Sequence, residues 1–273
     1  QVPPGMDPHL VAVVVGLLQG VFEWLPISSE GNIAIALTAL GTAPGVAVSY
    51  ALFVHLGTAF SATAYYRDEV RTALASWSSL RPASAFDGET ATLSFVVLAT
   101  AASSALGLVA LLALDALVTE LTGGAFVALI GALLVATGVL QRFADARSLA
   151  TRETPDALDA VLVGGLQGLA ILPGVSRSGT TTSALLLRGH DGPASFRLSF
   201  LLSIPAALIG GTVGVVRAGG IGVSPTAGLV ALVVAAVVGY ATIDLLMRIV
   251  RRVAVWSLCV GLGALAIAGG LLV

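Results

Sequence analysis

Apolar residues run along this chain in long blocks of Ala, Leu, Val and Gly. They fall at Leu10–Leu25, Ile33–Leu40, Val46–Tyr66, Ala91–Leu114, Gly124–Leu140, Ala157–Leu187, Phe196–Val216, Thr226–Met247 and Val253–Val273. A helix needs roughly 20 apolar residues to cross the hydrocarbon core of a bilayer. Every backbone polar group in lipid must find an internal partner, so only helices and closed barrels span. Continuous runs rather than alternating ten-residue strands predict helices, and hence an all-α integral membrane protein. Two stretches break the pattern: PISSEGN interrupts Leu10–Leu40, and PGVSRSGT interrupts Ala157–Leu187. Their halves are too short to cross alone, which predicts two re-entrant helical hairpins beside six transmembrane helices.

Arginine positions agree with that count. If both broken blocks return to their starting side, one face carries Arg67, Arg71, Arg81, Arg142, Arg147, Arg152, Arg248, Arg251 and Arg252, and the other only Arg217. Such asymmetry follows the positive-inside rule and places both termini outside. The chain also repeats itself. GLLQGVFEWLPISSEG, from Gly16, matches GGLQGLAILPGVSRSG, from Gly164, with the Gln-to-Pro spacing one residue shorter in the second copy. The first hairpin enters from outside and the second from inside, so this is an inverted-topology repeat within a single membrane domain, 1–273, with halves at about 10–140 and about 157–273. Such repeats place a polar site where the broken helices meet near the midplane.

Composition adds exclusions. The chain is 57% hydrophobic and 10% charged over 273 residues, where soluble domains carry about a quarter charged residues. A net charge of −2 offers no basic surface for nucleic acid, and the single cysteine, Cys259, forms no metal-binding or redox spacing. QVPPGMDPHL lacks the basic start of a secretory signal, so the apolar run from Val11 is expected to be retained.

Ionisable groups at membrane depth cost on the order of 3 kcal/mol each on insertion scales, which makes them functional candidates. Glu23, Glu30, Arg177 and Asp244 stand in apolar surroundings, with Arg188 and Arg197 near block ends. Gln19 and Glu23 are one helical turn apart and share a face leading into the Ser28-Ser29 turn. Glu30 reads as a first-turn carboxylate behind a serine N-cap. In the second turn Arg177, among Ser176, Ser178, Gly179, Thr180, Thr181 and Thr182, has the composition of a phosphate grip: a planar guanidinium fork, hydroxyl donors and a helix N-terminus.

At these two turns, EWLPISSEGN and LPGVSRSGTTTS, the chain resembles the undecaprenyl-diphosphate phosphatase family, also called bacitracin-resistance proteins. The family's patterns are Glu or Gln, then Glu four on, then L-P-x-S-S-x-G-H, and P-G-x-S-R-S-G-x-T. The resemblance implies six spans with two inverted re-entrant hairpins. It also implies removal of the terminal phosphate from a polyprenyl diphosphate, recycling a lipid carrier at the outer face of the plasma membrane. A divalent cation, Mg²⁺ or Ca²⁺, is the implied cofactor, held by Glu23 through the diphosphate. Position by position, Glu23, Ser29 and Arg177 are the implied catalytic residues, and Gln19, Ser28, Asn32, Ser176, Ser178, Gly179 and Thr181 the substrate-binding ones. The expected partners are the lipid and the bilayer, and a homodimer is compatible with the sequence.

Asn32 stands where the family typically has His, and Glu30 where it has a small residue. Asn is neither general base nor nucleophile, so either Glu23 activates Ser29 or a metal-bound water, with His55 in the next span as another candidate, or this member has lost rapid turnover. A competing reading is a transporter or flippase for a polyprenyl phosphate or another anion, since paired broken helices also build transporters.

Overall fold

Wherever a Pro-Ser turn interrupts an apolar block, the helix breaks. The computed structural model describes residues 6–121, 123–147, 152–217, 223–250 and 254–272, all of whose main elements are helical. Gln1–Gly5, Arg251, Arg252 and the expected block ends Val253 and Val273 lie outside them.

The first broken block gives α1 (Pro8–Phe22) and α2 (Ser29–Ala39), and the second α7 (Ala157–Leu169) and α8 (Arg177–Leu187). At 1.5 Å per residue none of the four reaches the roughly 30 Å of a hydrocarbon core. Between the hairpins run α3 (Pro44–Tyr65), the short charged α4 (Arg67–Ala75), α5 (Ala91–Glu120) and α6 (Gly123–Arg147), and after them α9 (Gly192–Arg217), α10 (Pro225–Val250) and α11 (Val255–Leu271). Five of these, α3, α5, α6, α9 and α10, are long and apolar enough to cross a membrane. The expected sixth span is helical over 17 described residues, or roughly 25 Å, and is the shortest of the set. Leu108, Leu112, Leu229, Val237 and Leu265 stand exposed along these helices, as a lipid-facing surface requires.

Helix pairing is reciprocal. α1 packs on α10 and α7 on α5, while α3 packs on α9 and α6 on α11. Small residues make each approach close: Gly16 and Gly20 lie against Ala231, Val234 and Val238, and Gly164 and Gly168 against Ala99 and Ser103, so a Cβ at any of the four would collide with the facing helix. Gly131 and Gly263 each lie against the other's carbonyl at the α6–α11 crossing. Glycines at four-residue spacing let backbones approach, the usual device where lipid removes any hydrophobic drive between helices.

The ends of α7 and α8 farthest from their shared turn are tied by ion pairs. Asp156 caps α7 in a reciprocal capping box with Asp159. Arg152 reaches Asp156 at 2.8 Å and Asp159 at 3.0 Å, Arg188 reaches Asp156 at 2.9 Å, and His190 reaches Asp159 at 3.0 Å. Asp244, flagged by its apolar surroundings, accepts from the Tyr65 hydroxyl at the end of α3.

Candidate active site

The α1–α2 turn begins where Pro26 disfavours helical backbone before it and cannot donate to a helix. Trp24 anchors the turn: it is fully buried, donates Nε1–H to the Gly239 carbonyl at 3.0 Å, and meets Phe200 edge-on. The Pro26 carbonyl would be orphaned in an apolar interior, but it accepts from Gln141 Nε2 at 2.6 Å and Cys259 Sγ at 2.9 Å. Ser28 then adopts φ +59°, the only non-glycine left-handed residue among those described. That strained conformation lets its Oγ accept from two amides at 3.2 Å each, Gly31 of its own helix and Gly174 of the opposite turn.

The α7–α8 turn is shaped by Gly174, at φ +101°, whose missing side chain admits the Ile130 backbone of α6. Ser176 caps α8, accepting from Gly179 N at 3.1 Å. Gly31 presses on the Gly174 backbone and Ser178 Oγ donates to the Leu25 carbonyl at 3.3 Å, so the two turns touch.

Glu23 is the hub where they meet. Its Oε1 accepts from Arg177 Nη2 at 2.7 Å. Its Oε2 accepts from Ser29 Oγ at 2.8 Å and Gln19 Nε2 at 2.9 Å, and lies 3.3 Å from His55 Nε2. The side chain of Glu23 is 5% exposed and that of Arg177 15%. Arg177 also donates to the Ser199 carbonyl at 3.2 Å and lies over the Phe200 ring. His55 Nδ1 is 2.7 Å from the Ala51 carbonyl one turn back on α3, which fixes a proton on that nitrogen and leaves Nε2 toward Glu23.

Of the sequence-predicted residues, Glu23, Ser28, Ser29, Ser176, Arg177 and Ser178 line one small cleft of about 20 Å³, close to the size of a single water. Gln19 stands behind it, fully buried, bridging Glu23 to Thr58. Asn32 turns away, both amide bonds going to the Ile27 and Ser28 carbonyls. Gly179 spends its amide on the helix cap, and Thr181 bonds Ser199 and the Arg177 carbonyl. His55 and Glu30 also line the cleft, and both were weaker sequence candidates. The cleft continues, past Glu30, His55, Ala170 and Arg177, into a groove of about 290 Å³ lined mainly by apolar and small residues of α3, α5, α7 and α9, such as Leu52, Leu111, Gly168 and Gly210, with Ile171 of the α7–α8 turn.

A carboxylate, a hydroxyl and a guanidinium at the mouth of an apolar groove can hold a phosphorylated group on a hydrocarbon chain. Known proteins point the same way. A relative from Haloarcula marismortui, named undecaprenyl-diphosphatase, is 59% identical over 271 residues, covering 98% of this chain and 99% of its own. Proteins of that name from Methanococcoides burtonii and Saccharolobus solfataricus are 37% and 35% identical, over 94% and 98% of this chain and 96% and 97% of their own. The sequence profile of the family described as bacitracin resistance protein BacA matches residues 12–267. By the extent of that match and by these relatives, the chain is a multi-pass membrane protein that belongs to the BacA family.

Proposed function

We propose that this chain is an undecaprenyl-diphosphatase, hydrolysing the terminal phosphate of a long-chain polyprenyl diphosphate to give the monophosphate for reuse as a lipid carrier. The observation that carries the reading is the convergence of Ser29 and Arg177, from opposite hairpins, on one buried carboxylate at the mouth of an apolar groove. Arg177 holds the diphosphate oxygens with the N–H groups it does not spend on Glu23 and Ser199, and offsets the charge that spreads over them during transfer. Ser29 attacks the terminal phosphorus and its proton passes to Glu23 Oε2; the polyprenyl monophosphate departs, and water then releases phosphate from the serine. The hydrocarbon chain lies in the groove between α3, α5, α7 and α9.

A divalent cation, Mg²⁺ or Ca²⁺, belongs to the reading and would neutralise diphosphate oxygens when bound. Glu23 fits it poorly as a direct ligand, because both of its oxygens already accept from protein donors. The topology that goes with this function has six crossings, α11 included, and two hairpins entering from opposite leaflets, with both termini outside and the site opening outward. Its support is the one-sided distribution of arginines and the reciprocal pairing of α1 with α10 and α7 with α5.

The test is phosphate release by purified protein from undecaprenyl diphosphate with Mg²⁺. The reading expects release, with Glu23→Ala and Arg177→Ala reducing it sharply. Binding of the lipid without release, unaffected by Glu23→Ala, is the outcome of a transporter on the same scaffold and refutes the enzyme.

A further inference from the structure

Glu30 is the one carboxylate at the site for which the proposed chemistry has no use. It is 5% exposed, sits in the first turn of α2, and lines both the polar cleft and the apolar groove. No described residue donates to it, and its Oε1 is buried without a partner. An unpaired carboxylate taken out of water is costly, so it either binds a proton or faces a cation. Glu23 differs in kind, since Arg177, Ser29 and Gln19 donate to its oxygens.

An ionised Glu30 calls for a cation: Glu23 and Arg177 cancel, so its charge leaves the lining negative unless His55 is protonated, and then only neutral. A diphosphate carries several negative charges and would be repelled, or at best not attracted. We infer that Glu30 is the protein ligand of a divalent cation that enters with the diphosphate, bridging the carboxylate and the phosphate oxygens. Mg²⁺ is commonly held this way, through one or two carboxylates plus substrate phosphates, its remaining positions kept by water. No dedicated cage of acidic and histidine side chains is needed, and none occurs among the described residues. With the cation on Glu30 the cleft becomes net positive and complementary to its substrate, and Glu23 is left to orient Arg177 and take the Ser29 proton.

This inference rests on the diphosphatase reading, and its test is separable from it. Mn²⁺ binding is followed by the loss of the free-ion EPR signal, on purified protein saturated with a non-hydrolysable polyprenyl methylenediphosphonate. Wild type is expected to bind one Mn²⁺ per chain. Glu30→Gln has the shape of the protonated acid but no charge, and is expected to weaken Mn²⁺ at least tenfold. It should also raise the Mg²⁺ concentration giving half-maximal phosphate release by a similar factor. Glu30→Asp keeps a carboxylate and should retain measurable Mn²⁺ binding, which guards against misreading a folding defect. Mn²⁺ affinity in Glu30→Gln within threefold of wild type overturns the assignment, and a proton on Glu30 is then its resting state. Because the analogue does not turn over, the EPR result decides the site whether or not wild type releases phosphate; absent release sinks the diphosphatase reading alone.

Discussion

Glu23→Gln isolates what the central ion pair contributes. The substitution keeps the size of the side chain and removes its charge, leaving the Arg177 guanidinium, 15% exposed, without its counter-ion at 2.7 Å. Removing one partner of a buried pair costs about 3–5 kcal/mol; the partial exposure of Arg177 points to the low end, about 3 kcal/mol. For a chain of this size that is a fall in Tm of roughly 6–12 °C in detergent. The amide must also turn its NH₂ toward either Arg177 or the Ser29 and Gln19 donors on Oε2, so at least one donor–donor clash replaces a hydrogen bond. Phosphate release should fall by at least about a hundredfold, the scale of losing one charge-stabilising contact in a transition state. The cycle is completed with Arg177→Gln and the double variant. Since each single change strands the same pair, the double variant should melt within a few degrees of either single one, a coupling of about 2–3 kcal/mol. Additive losses in Tm, or a Glu23→Gln enzyme with more than a tenth of wild-type turnover, refute the claim that this pair organises the site.

Other outcomes follow from particular contacts. Ser28→Ala removes the acceptor for the Gly31 and Gly174 amides but keeps a side chain at φ +59°, and should cost about 1–2 kcal/mol by thermal melting; Ser28→Gly, free of the backbone strain, should cost less. Gly164→Val, whose Cβ would strike the Ala99 backbone, should abolish folded protein in size-exclusion profiles, whereas Gly261→Ala on α11 meets open space and should leave them unchanged. Gly210→Leu also meets open space where it stands and projects into the groove; it should raise KM for a long-chain diphosphate while sparing a short-chain one. Asp156, at the α7 cap, loses solvation on folding, but the Asp159 amide and Arg152 outweigh that and lower its pKa below the ordinary 3.8. Its stabilising effect is therefore complete above pH about 4 and disappears as pH falls through the lowered value, so the Tm gap between wild type and Asp156→Asn should close in acid.

The architecture was legible because lipid leaves a chain few choices. Blocks of apolar residues and the two Pro-Ser breaks mark every long helix, though not the short charged α4, and the pairing of Gln19 with Glu23 follows from one-turn spacing. Arg177 stood out by the composition of its neighbours, but its partner did not: Glu23 lies far away in sequence and meets it only because the two turns touch through Ser28 and Gly174. Spacing could not tell which hydroxyls face the cleft. Thr181 and Gly179 carry the right chemistry, yet helix capping and the α9 contact with Ser199 engage them first. Glu30 looked like ordinary helix-cap chemistry, which it satisfies, while its burial beside the groove depends on how α2 packs with α1, α3 and α6, which no local pattern encodes. His55 was in the same position: a span histidine whose reach to Glu23 is set by how α3 packs beside the hairpin.

The most direct measurement is a structure of the purified protein with a non-hydrolysable polyprenyl diphosphate analogue and Mg²⁺. The account predicts the diphosphate between the two hairpin turns, within hydrogen-bonding distance of Arg177 and Ser29, with the hydrocarbon chain in the groove beside Leu111 and Gly210. A headgroup bound elsewhere, or the turns around Ser28 and Gly174 parted with Glu23 turned to lipid, contradicts it.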